Sequence, residues 1–259
     1  MLRTPISADL SRFPDFVRPL LDGASLFDSS CSPEAQVLFL DRDDGYYLKR
    51  SPKGTLEQEA RMTRYFHTLG LSAEVLASQS LDEDWLLTAR VAGEDLTHPA
   101  YLSDPVWLCD TLAERLRMLH ALPFDGCPVT NHTARYLATA KDHYGKGLFD
   151  PSFCGIPSLT PDEAWRRATE GWHLLQNDTL LHGDYCLPNV LFDNRTFSGF
   201  IDLGNGGVGD RHVDLFWGAW TLRFNLKTDS YRQRFFDAYG RDRIDPERLA
   251  LVGLLETFG

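Results

Sequence analysis

The sequence predicts an α+β fold in which a small β-rich part precedes a larger, mostly helical part. In the first part, the apolar runs "QVLFL" and "YYLKR" flank Asp43-Asp44-Gly45, and an Asp-Gly pair between such runs is a strong hairpin signal. Beyond about residue 100, apolar residues recur at the spacing of amphipathic helices. A chain of 259 residues is at the top of what one hydrophobic core usually supports, so its length predicts one large domain or two lobes. The change from strands to helices along the chain favours two lobes, 1–90 and 91–259.

Composition and charge exclude several classes of protein. The sequence has no apolar stretch of the roughly 20 residues that a membrane helix needs, and its N-terminus lacks the apolar core of a secretory signal. We therefore expect a soluble, cytoplasmic protein. The net charge of -11 disfavours nucleic acid as a partner, and it permits a cationic ligand without predicting one. Five cysteines without a Cys-x-x-Cys pair indicate free thiols.

The elements follow in order along the chain. A helix is predicted over 56–69, and Gly70 follows it where a left-handed C-cap is favoured. The segment "WLLTARV" is typical of a strand, and we expect a hinge near 88–93. Asp104 followed by Pro105 predicts the start of a long helix, with an N-cap and then a proline at its first position. The segment "TPDE" fits a capping box and predicts a later helix start.

Lys49 is the first candidate functional residue. Side chains alternate along a strand, so Lys49 shares a face with Tyr47 inside the apolar run "YYLKR". One interpretation is an edge strand whose lysine is simply solvated. The other is a lysine fixed in place to bind phosphate.

The helix that follows favours the second interpretation. Glu59 shares a helix face with Met62 and Phe66, whereas Glu57 aligns with solvent-facing arginines. A carboxylate on an apolar face is costly unless it has a cationic partner, and Lys49 is the nearest candidate in sequence. The turn "SSCSPEAQV" before the first strand of the hairpin adds hydroxyls and amides of the kind that contact phosphate oxygens.

A second hairpin gathers further polar groups. The runs "VLF" and "GFI" are joined by a turn at 193–195, and antiparallel pairing brings Asn189 and Asp202 together. Asp184 lies on the loop that enters this hairpin. Asparagine and aspartate oxygens suit Mg²⁺, and a carboxylate that binds no metal is free to orient a nucleophile and accept its proton. Together with Lys49, these are the groups that phosphoryl transfer requires.

Other interpretations of these residues stay open. His182, Asp184, Asp202 and His212 are of the types that form a hydrolase metal centre, although His-Gly-Asp lacks the helical spacing of the usual zinc motifs. Asparagine and aspartate also serve as turn formers and caps. A nucleotide-binding protein that transfers nothing is disfavoured by the presence of Asp184.

The motifs resemble those of the aminoglycoside phosphotransferases, most of all the 3'-phosphotransferase branch. The resemblance rests on "HGDYCLPNVLFD" and "GFIDLGNGGVGDRHVDL", and it continues through "SPEAQV", "YYLK", "LEQEARMTRYF" and "WLLTARVAGE". It implies a two-lobed protein-kinase-like fold, with a small β-rich N-lobe and a larger, mostly helical C-lobe. The β-rich part has no Gly-x-Gly-x-x-Gly loop and the sequence has no His-Arg-Asp motif, so a protein kinase is a poor match.

The resemblance also implies roles for individual residues. Asp184 would be the catalytic aspartate, with Asn189 and Asp202 as magnesium ligands. The implied nucleotide contacts and loop supports are as follows: Lys49 on the phosphates with Glu59 as its partner, Ser32 over the phosphates, Tyr47 stacked on the base, backbone groups at Ala89 and Val91 facing the base, and His182 and Asp214 bracing the catalytic loop.

Residues on the acceptor side depart from the family pattern. Asn205 stands where the 3'-branch usually carries arginine, and Asp150 is the one acid in a segment where relatives often have several. At the C-terminus, Glu256 keeps one acid of a usual pair and Thr257 replaces the other. Because each charge-assisted hydrogen bond contributes about 1.5–3 kcal/mol, fewer carboxylates weaken binding of a polycation.

The resemblance implies an ATP-dependent, Mg²⁺-assisted O-phosphotransferase acting on an aminoglycoside, and hence antibiotic resistance. GTP is an alternative nucleotide, because Thr88 at the hinge is small. A related kinase for another sugar or amino alcohol is the alternative function. The expected partner is a small hydroxylated, cationic acceptor, with neither nucleic acid nor membrane, and the expected assembly is a monomer or weak dimer.

Overall fold

The computed structural model describes residues 3–7, 9–31 and 35–259. The strands in chain order are β1 Thr4–Ile6, β2 Ser25–Asp28, β3 Gln36–Asp41, β4 Tyr46–Pro52, β5 Val75–Ser80, β6 Glu83–Ala89, β7 Glu94–Asp95, β8 Thr179–Leu181, β9 Val190–Asp193, β10 Thr196–Phe200 and β11 Gly207–Gly209. The helices are α1 Arg18–Leu21, α2 Glu57–Thr68, α3 Pro99–Leu102, α4 Pro105–Leu119, α5 His132–Gly145, α6 Pro161–Gly171, α7 His212–Leu226, α8 Arg232–Tyr239 and α9 Pro246–Glu256.

The chain forms two compact units. The first contains Met1–His98 together with Pro188–Gly204, so the β9–β10 hairpin belongs to it. The second contains Pro99–Leu187 together with Asn205–Gly259. The first unit is built mainly on strands and the second mainly on helices, which confirms the predicted α+β class. The functional division into 1–90 and 91–259 stays a prediction.

An antiparallel sheet dominates the first unit. Among the described residues its strand order is β1-β2-β3-β4-β6-β5. The predicted Asp-Gly hairpin is confirmed, because β3 pairs with β4 through Leu40 and Tyr46, and Asp43 and Gly45 both have positive φ angles. Strand β4 lies between β3 and β6, so the interpretation of Lys49 as a solvated edge-strand residue is wrong. The Lys49 side chain is 20% exposed.

The two faces of this sheet are covered differently. Leu48 of β4 lies on the face that packs against Phe13 and Val17. The opposite face carries Leu86, which packs against Leu56 and Ala60 at the start of α2. Burial of a large aliphatic side chain contributes about 2 kcal/mol, so the apolar pattern of α2 fixes this helix on the sheet. The sequence prediction of a helix over 56–69 is confirmed.

The second predicted hairpin is also present. Strands β9 and β10 pair with Val190 opposite Phe200, and the turn between them contains Asn194 and Arg195 in left-handed conformation. Strand β7 adds to the other edge of β9. Beyond the last pair, the amide of Ile201 donates to the carbonyl of Asn189 at 3.1 Å. The hairpin therefore ends with the segment before β9 beside the segment after β10.

Helix starts in the second unit follow the capping signals. The Asp104 carboxylate accepts from the amide of Trp107 at the start of α4, and the Thr160 hydroxyl oxygen accepts from the amide of Glu163 at the start of α6. A complete capping box also needs the Glu163 carboxylate to accept from the backbone amide of Thr160. The Glu163 carboxylate instead pairs with Arg166 and Arg167, because their guanidinium groups lie one turn further along the same helix face.

Two predictions made from the composition of the chain concern membrane helices and free thiols. None of the helices in the described ranges combines the length and apolar character needed to cross a bilayer. All five cysteines are free thiols, as their number and spacing predicted. Cys109 and Cys127 are buried, and burial raises the pKa of each thiol.

Candidate active site

Lys49 lies between two carboxylates in the first unit. Its Nζ atom is 2.8 Å from Oε2 of Glu59 on α2 and 2.7 Å from Oδ1 of Asp202 after β10. The Glu59 pair is the one that the helix periodicity predicted. Strand alternation places Lys49 on the side of the sheet that α2 covers, and this brings Glu59 within reach. The ammonium group is thus fixed in position by two oxygen partners.

Burial and the neighbouring charges together set the pKa values of Lys49 and Glu59. Burial alone would lower the pKa of Lys49, but the charges of Asp202 and Glu59 outweigh it and raise the pKa above its ordinary value. The lysine is therefore cationic across the physiological range. Burial raises the pKa of Glu59, and the Lys49 ammonium opposes that shift. The result is a fixed positive charge at the end of a partly buried side chain.

Asn189 and Asp202 flank the open end of the β9–β10 hairpin. Asn189 is buried at the end of a short 3₁₀ helix, Leu187–Asn189, whereas the Asp202 side chain is 51% exposed. The backbone of Asp202 has φ of 56°, an uncommon left-handed conformation for a residue other than glycine. Such conformations cluster at functional sites. Amide and carboxylate oxygens are both of the hard type that Mg²⁺ prefers as ligands.

A small cavity opens on the same unit. It has a volume of about 130 Å³, and its lining includes Tyr47, Val91, Gly93 and Arg3. The guanidinium of Arg3 lies 3.5 Å from the centre of the Phe39 ring and donates to the Tyr47 hydroxyl at 3.0 Å. Tyr47 and Val91, which were both predicted to contact the nucleotide base, thus line one cavity.

Ala89 and Ser32 are the other residues predicted to contact the nucleotide. Ala89 ends β6, and its amide donates to the carbonyl of Glu74 at 3.0 Å. That N–H group is therefore engaged within the sheet. Ser32 lies outside the described residues, and its role stays a prediction.

Asp214 anchors the loop that carries Asp184 in the second unit. It is fully buried, and its two oxygens accept from the amides of His182 and Gly183, each at 2.8 Å. The ring Nε2 of His120 lies 3.1 Å from Asp214 Oδ2. Burial alone would raise the pKa of Asp214, but these hydrogen bonds and the neighbouring histidines lower it. Asp214 is thus a buried, ionised carboxylate with hydrogen-bond partners on both oxygens.

Gly183 is required by the geometry of the same loop. Its φ is +85°, and a Cβ atom built on it would lie 1.9 Å from the backbone oxygen of Asn205. A side chain would thus force apart two segments that lie in direct contact. Glycine in the His-Gly-Asp motif is explained by this close approach.

Asp184 follows directly on this loop. Its amide lies 3.3 Å from Nδ1 of His182, and its carbonyl accepts from the amide of Cys186 at 2.8 Å. His182 is fully buried and packs against the ring of Tyr185. The loop backbone that presents the Asp184 carboxylate is thus held by hydrogen bonds on either side.

His212 does not fit the alternative of a hydrolase metal centre. Its Nδ1 lies 2.5 Å from Asp210 Oδ1, and its Nε2 accepts from the amide of Asp245 at 2.8 Å. Both ring nitrogens are therefore engaged in structural hydrogen bonds. Moreover, no group of three or more His, Cys, Asp or Glu side chains is placed to hold a metal within 3–7, 9–31 and 35–259.

The three acceptor-side candidates lie in different surroundings. Glu256 is 4% exposed, and its carboxylate accepts from the hydroxyl of Tyr136 at 2.7 Å and from the indole of Trp217 at 3.0 Å. Burial raises the pKa of Glu256 to about 7, and the negative charge of Asp184 adds to the shift. Asn205 is exposed. Asp150 is exposed and caps a short helix by accepting from the amide of Ser152 at 2.9 Å.

The partners that hold Asp214 and Glu256 in place were not predicted from the sequence. His120 directly follows α4, 94 residues before Asp214, and Tyr136 lies 120 residues before Glu256. No local pattern connects residues so far apart. The one sequence feature that pointed to such a partner was the position of His120 at the end of an apolar helix stripe.

Comparison with known proteins places this architecture in a family. The model of the phosphotransferase enzyme family, APH, matches residues 26–252. A probable aminoglycoside 3'-phosphotransferase from Lactococcus lactis subsp. lactis (strain IL1403) is 51% identical over 255 residues, which cover 97% of each chain. An aminoglycoside 3'-phosphotransferase from Streptomyces fradiae is 28% identical, with 91% of each chain covered.

Solved structures agree. The crystal structure of an aminoglycoside 3'-phosphotransferase of type VIII superposes with a TM-score of 0.74 at 24% identity, covering 96% of each chain. An aminoglycoside phosphotransferase from Streptomyces rimosus, in complex with ADP and streptomycin, gives 0.68 at 26% identity over 86% of this chain and 91% of that one. The fold is the protein-kinase-like fold of the aminoglycoside phosphotransferases. The chain belongs to the phosphotransferase enzyme family, so the resemblance found in the sequence is confirmed.

Proposed function

We propose that this chain transfers the γ-phosphoryl group of ATP to a hydroxyl group of an aminoglycoside. The observation that carries the proposal is the position of Lys49, whose Nζ lies within 2.8 Å of both Glu59 and Asp202. A fixed ammonium group in this setting suits the phosphates of a nucleotide. The names of the relatives and the ADP bound to the Streptomyces rimosus enzyme support the choice of reaction.

On the nucleotide side, Lys49 would contact the phosphates while Glu59 keeps its side chain extended. Tyr47 would stack on the base, because its ring lines the small cavity together with Val91. Ser32 would lie over the phosphates and Ala89 beside the base, by analogy with the family. The lobes 1–90 and 91–259 would serve the nucleotide and the acceptor respectively.

Asn189 and Asp202 would hold Mg²⁺ through their side-chain oxygens. The bound ion would supply positive charge to neutralise the phosphate oxygens during transfer. The exposed part of the Asp202 carboxylate suits this role, since Lys49 contacts only one of its oxygens in the structure. Lys49 would thereby fix the orientation of a metal ligand as well as contact phosphate.

Asp184 would orient the acceptor hydroxyl and accept its proton. As the acceptor oxygen forms its bond to the γ-phosphorus, the bond between that phosphorus and the bridging oxygen of ADP breaks. The products are a phosphorylated acceptor and ADP. His182 and Asp214 would not react. They would keep the loop in the shape that presents Asp184, through the hydrogen bonds that Asp214 accepts from the loop amides.

A second candidate function is phosphorylation of another sugar or amino alcohol. The surroundings of Glu256 favour it, because this carboxylate is buried and already accepts hydrogen bonds from Tyr136 and Trp217. It is therefore a poor ligand for the amino groups of a polycation in this conformation. Asp150 and Asn205, both exposed, would then be the acceptor contacts available from the predicted set.

An acceptor panel tests the two candidates. The full chain would be incubated with ATP and Mg²⁺ and with kanamycin, streptomycin, hygromycin B, neutral sugars or amino alcohols, and the products analysed by mass spectrometry. We expect the gain of one phosphoryl group on at least one aminoglycoside. Phosphorylation of sugars or amino alcohols alone would favour the second candidate. No product with any acceptor, from protein that binds ATP, would contradict both.

The choice of nucleotide is tested in the same assay. Thr88 lies opposite Tyr47 in the β4–β6 pair, and its small side chain leaves room for either purine. ATP is the proposed donor and GTP the alternative. Comparing kcat/KM for ATP and for GTP with one acceptor distinguishes them.

A further inference from the structure

Thr221 is a buried polar residue in the second half of α7. It is 1% exposed. A threonine inside a helix commonly bonds its hydroxyl group to a carbonyl of its own preceding turn. Here, however, the Oγ1 atom of Thr221 accepts from the amide of Leu187 at 3.1 Å, across 34 positions of sequence. Leu187 ends the segment "HGDYCL", so Thr221 contacts the loop that carries Asp184.

Thr221 and Asp214 lie on the same face of α7. Two helical turns separate them, so their side chains lie one above the other, about 10 Å apart along the axis. Asp214 accepts from two amides at the start of the loop, and Thr221 accepts from the amide of Leu187 at its end. One helix face thus holds both ends of the loop, with Asp184 between the two anchors.

The hydroxyl group of Thr221 is itself held in one orientation. The side-chain amide of Asn225, one turn later on α7, donates to Thr221 Oγ1 at 3.2 Å and to the Thr221 carbonyl at 2.8 Å. A hydroxyl oxygen has two acceptor positions, and the donors from Leu187 and Asn225 account for both. The hydroxyl hydrogen is left to donate to the sulfur of Cys186, whose thiol also contacts the Asp184 carboxylate. Thr221 is thus linked to Asp184 through the loop backbone and through one intervening side chain.

We propose that Thr221 is a positioning residue for phosphoryl transfer. It fixes the end of the loop and thereby the direction in which Asp184 faces the acceptor hydroxyl. Without the Thr221 oxygen, the amide of Leu187 is a buried donor that has lost its partner, and the loop has to shift to satisfy it. A misplacement of about 1 Å can cost about 10²-fold in rate. The inference rests on the proposed function, because it assigns a further residue to the same site.

Two substitutions separate the hydroxyl group of Thr221 from the shape of its side chain. Thr221→Val keeps the shape and removes the acceptor, whereas Thr221→Ser keeps the acceptor. We expect Thr221→Val to lower kcat about 10- to 100-fold while the Kd for ATP stays within about twofold, and Thr221→Ser to keep at least about half of the native kcat. Thr179→Val is the matched control, since Thr179 is also 1% exposed and its hydroxyl group contacts Asp178 and Arg211. Native kcat in Thr221→Val, or an equal loss in Thr179→Val, would overturn the proposal.

A double substitution tests whether Thr221 acts through Asp184. In an Asp184→Asn background, Thr221→Val should lower the remaining rate by less than about twofold, because the group that Thr221 positions is already lost. A further tenfold loss would show that Thr221 acts independently of Asp184 and would overturn the assigned role. Asn225→Ala, at a half-buried position, provides a milder variant should Thr221→Val not fold, and it is expected to lower kcat about threefold. Native kcat in Asn225→Ala would then contradict the proposal.

Hydrogen exchange, followed by NMR, tests the loop contact without turnover. We expect the amide of Leu187 to exchange at least about tenfold faster in Thr221→Val than in the native protein, and at the native rate in Thr179→Val. Unchanged exchange in Thr221→Val would overturn this inference alone. A native protein that binds ATP but phosphorylates no acceptor would instead overturn the proposed function, and the role of Thr221 with it.

Discussion

The Nζ atom of Lys49 lies 2.7 Å from Oδ1 of Asp202, although 153 positions separate the two residues in the sequence. The contact joins the central strand β4 to the open end of the β9–β10 hairpin. Glu59 contacts the same ammonium group from α2. One side chain thus links three elements of the first unit, and a change at Lys49 should be detected in both binding and turnover.

Removal of the ammonium group is the first prediction. We expect Lys49→Ala to lower kcat/KM for ATP by about 10²–10³-fold, because a preorganised positive charge at the phosphates is lost. Lys53→Ala is the control, since Lys53 is an exposed lysine just beyond the same strand. Steady-state kinetics at saturating acceptor measures both. A Lys49→Ala enzyme with the kinetics of the control would show that the lysine has only a structural role.

The buried carboxylate of Asp214 gives the second prediction. Asp214→Asn places an amide group where two backbone N–H groups and His120 require acceptors. We expect the free energy of unfolding to fall by about 3 kcal/mol, as measured by urea denaturation. Asp237→Asn, which breaks an exposed pair with Arg241, should lower the stability far less, because solvent screens that pair. Equal costs for the two variants would refute the anchoring role.

The tight approach at Gly183 gives the third prediction. Gly183→Ala should destabilise the protein by more than about 3 kcal/mol, since its Cβ would lie 1.9 Å from the Asn205 carbonyl oxygen at a φ of +85°. Gly147 has a similar φ of +72° but open space around a built Cβ, so Gly147→Ala isolates the backbone effect. That control should cost about 1–2 kcal/mol. Thermal or urea unfolding compares them, and a Gly183→Ala protein as stable as the control would contradict the predicted clash.

The raised pKa of Glu256 gives a pH-dependent prediction. Its carboxyl has a pKa of about 7 in the folded protein against an ordinary value of 4.5, because it is buried. The folded state thus binds a proton more tightly than the unfolded state. The stabilisation is fully present below pH 4.5 and is lost as the pH rises to about 7.

Glu256→Gln should remove this dependence. Glutamine keeps an oxygen acceptor for Tyr136 and Trp217 but does not ionise. Between pH 5 and pH 7.5, the stability of the native protein relative to the variant should fall by about 2–3 kcal/mol. Glu247→Gln on the same helix is the control, since Glu247 is exposed. A difference between native protein and Glu256→Gln that stays constant with pH would show that Glu256 does not change its protonation state there.

The parts of the site that local patterns encode were predicted from the sequence. An Asp-Gly pair fixes the β3–β4 hairpin, and the spacing of Glu59 on its helix face predicted the contact with Lys49. Antiparallel pairing likewise predicted that the segments containing Asn189 and Asp202 run side by side. In each case, a short-range rule determines the direction of a side chain, and the partner is close in sequence or across one turn.

The remaining contacts depend on tertiary packing. His120 meets Asp214, and Tyr136 and Trp217 meet Glu256, only after several helices have assembled. Strand β1 is three residues long and contains Pro5, so it has little strand signal of its own and exists as an edge beside β2. The burial of Glu256, which decides what it can bind, was for the same reason not predictable from its position near the C-terminus.

The most direct test of the phosphotransferase proposal is a comparison of native protein with Asp184→Asn. Product formation with ATP, Mg²⁺ and the best acceptor would be followed by mass spectrometry, and ATP binding by calorimetry, with Asp178→Asn as an exposed control from the same unit. We predict that Asp184→Asn binds ATP within about threefold of the native protein but forms product at least about 10²-fold more slowly, because the acceptor hydroxyl loses its base. Native turnover by Asp184→Asn would contradict the account.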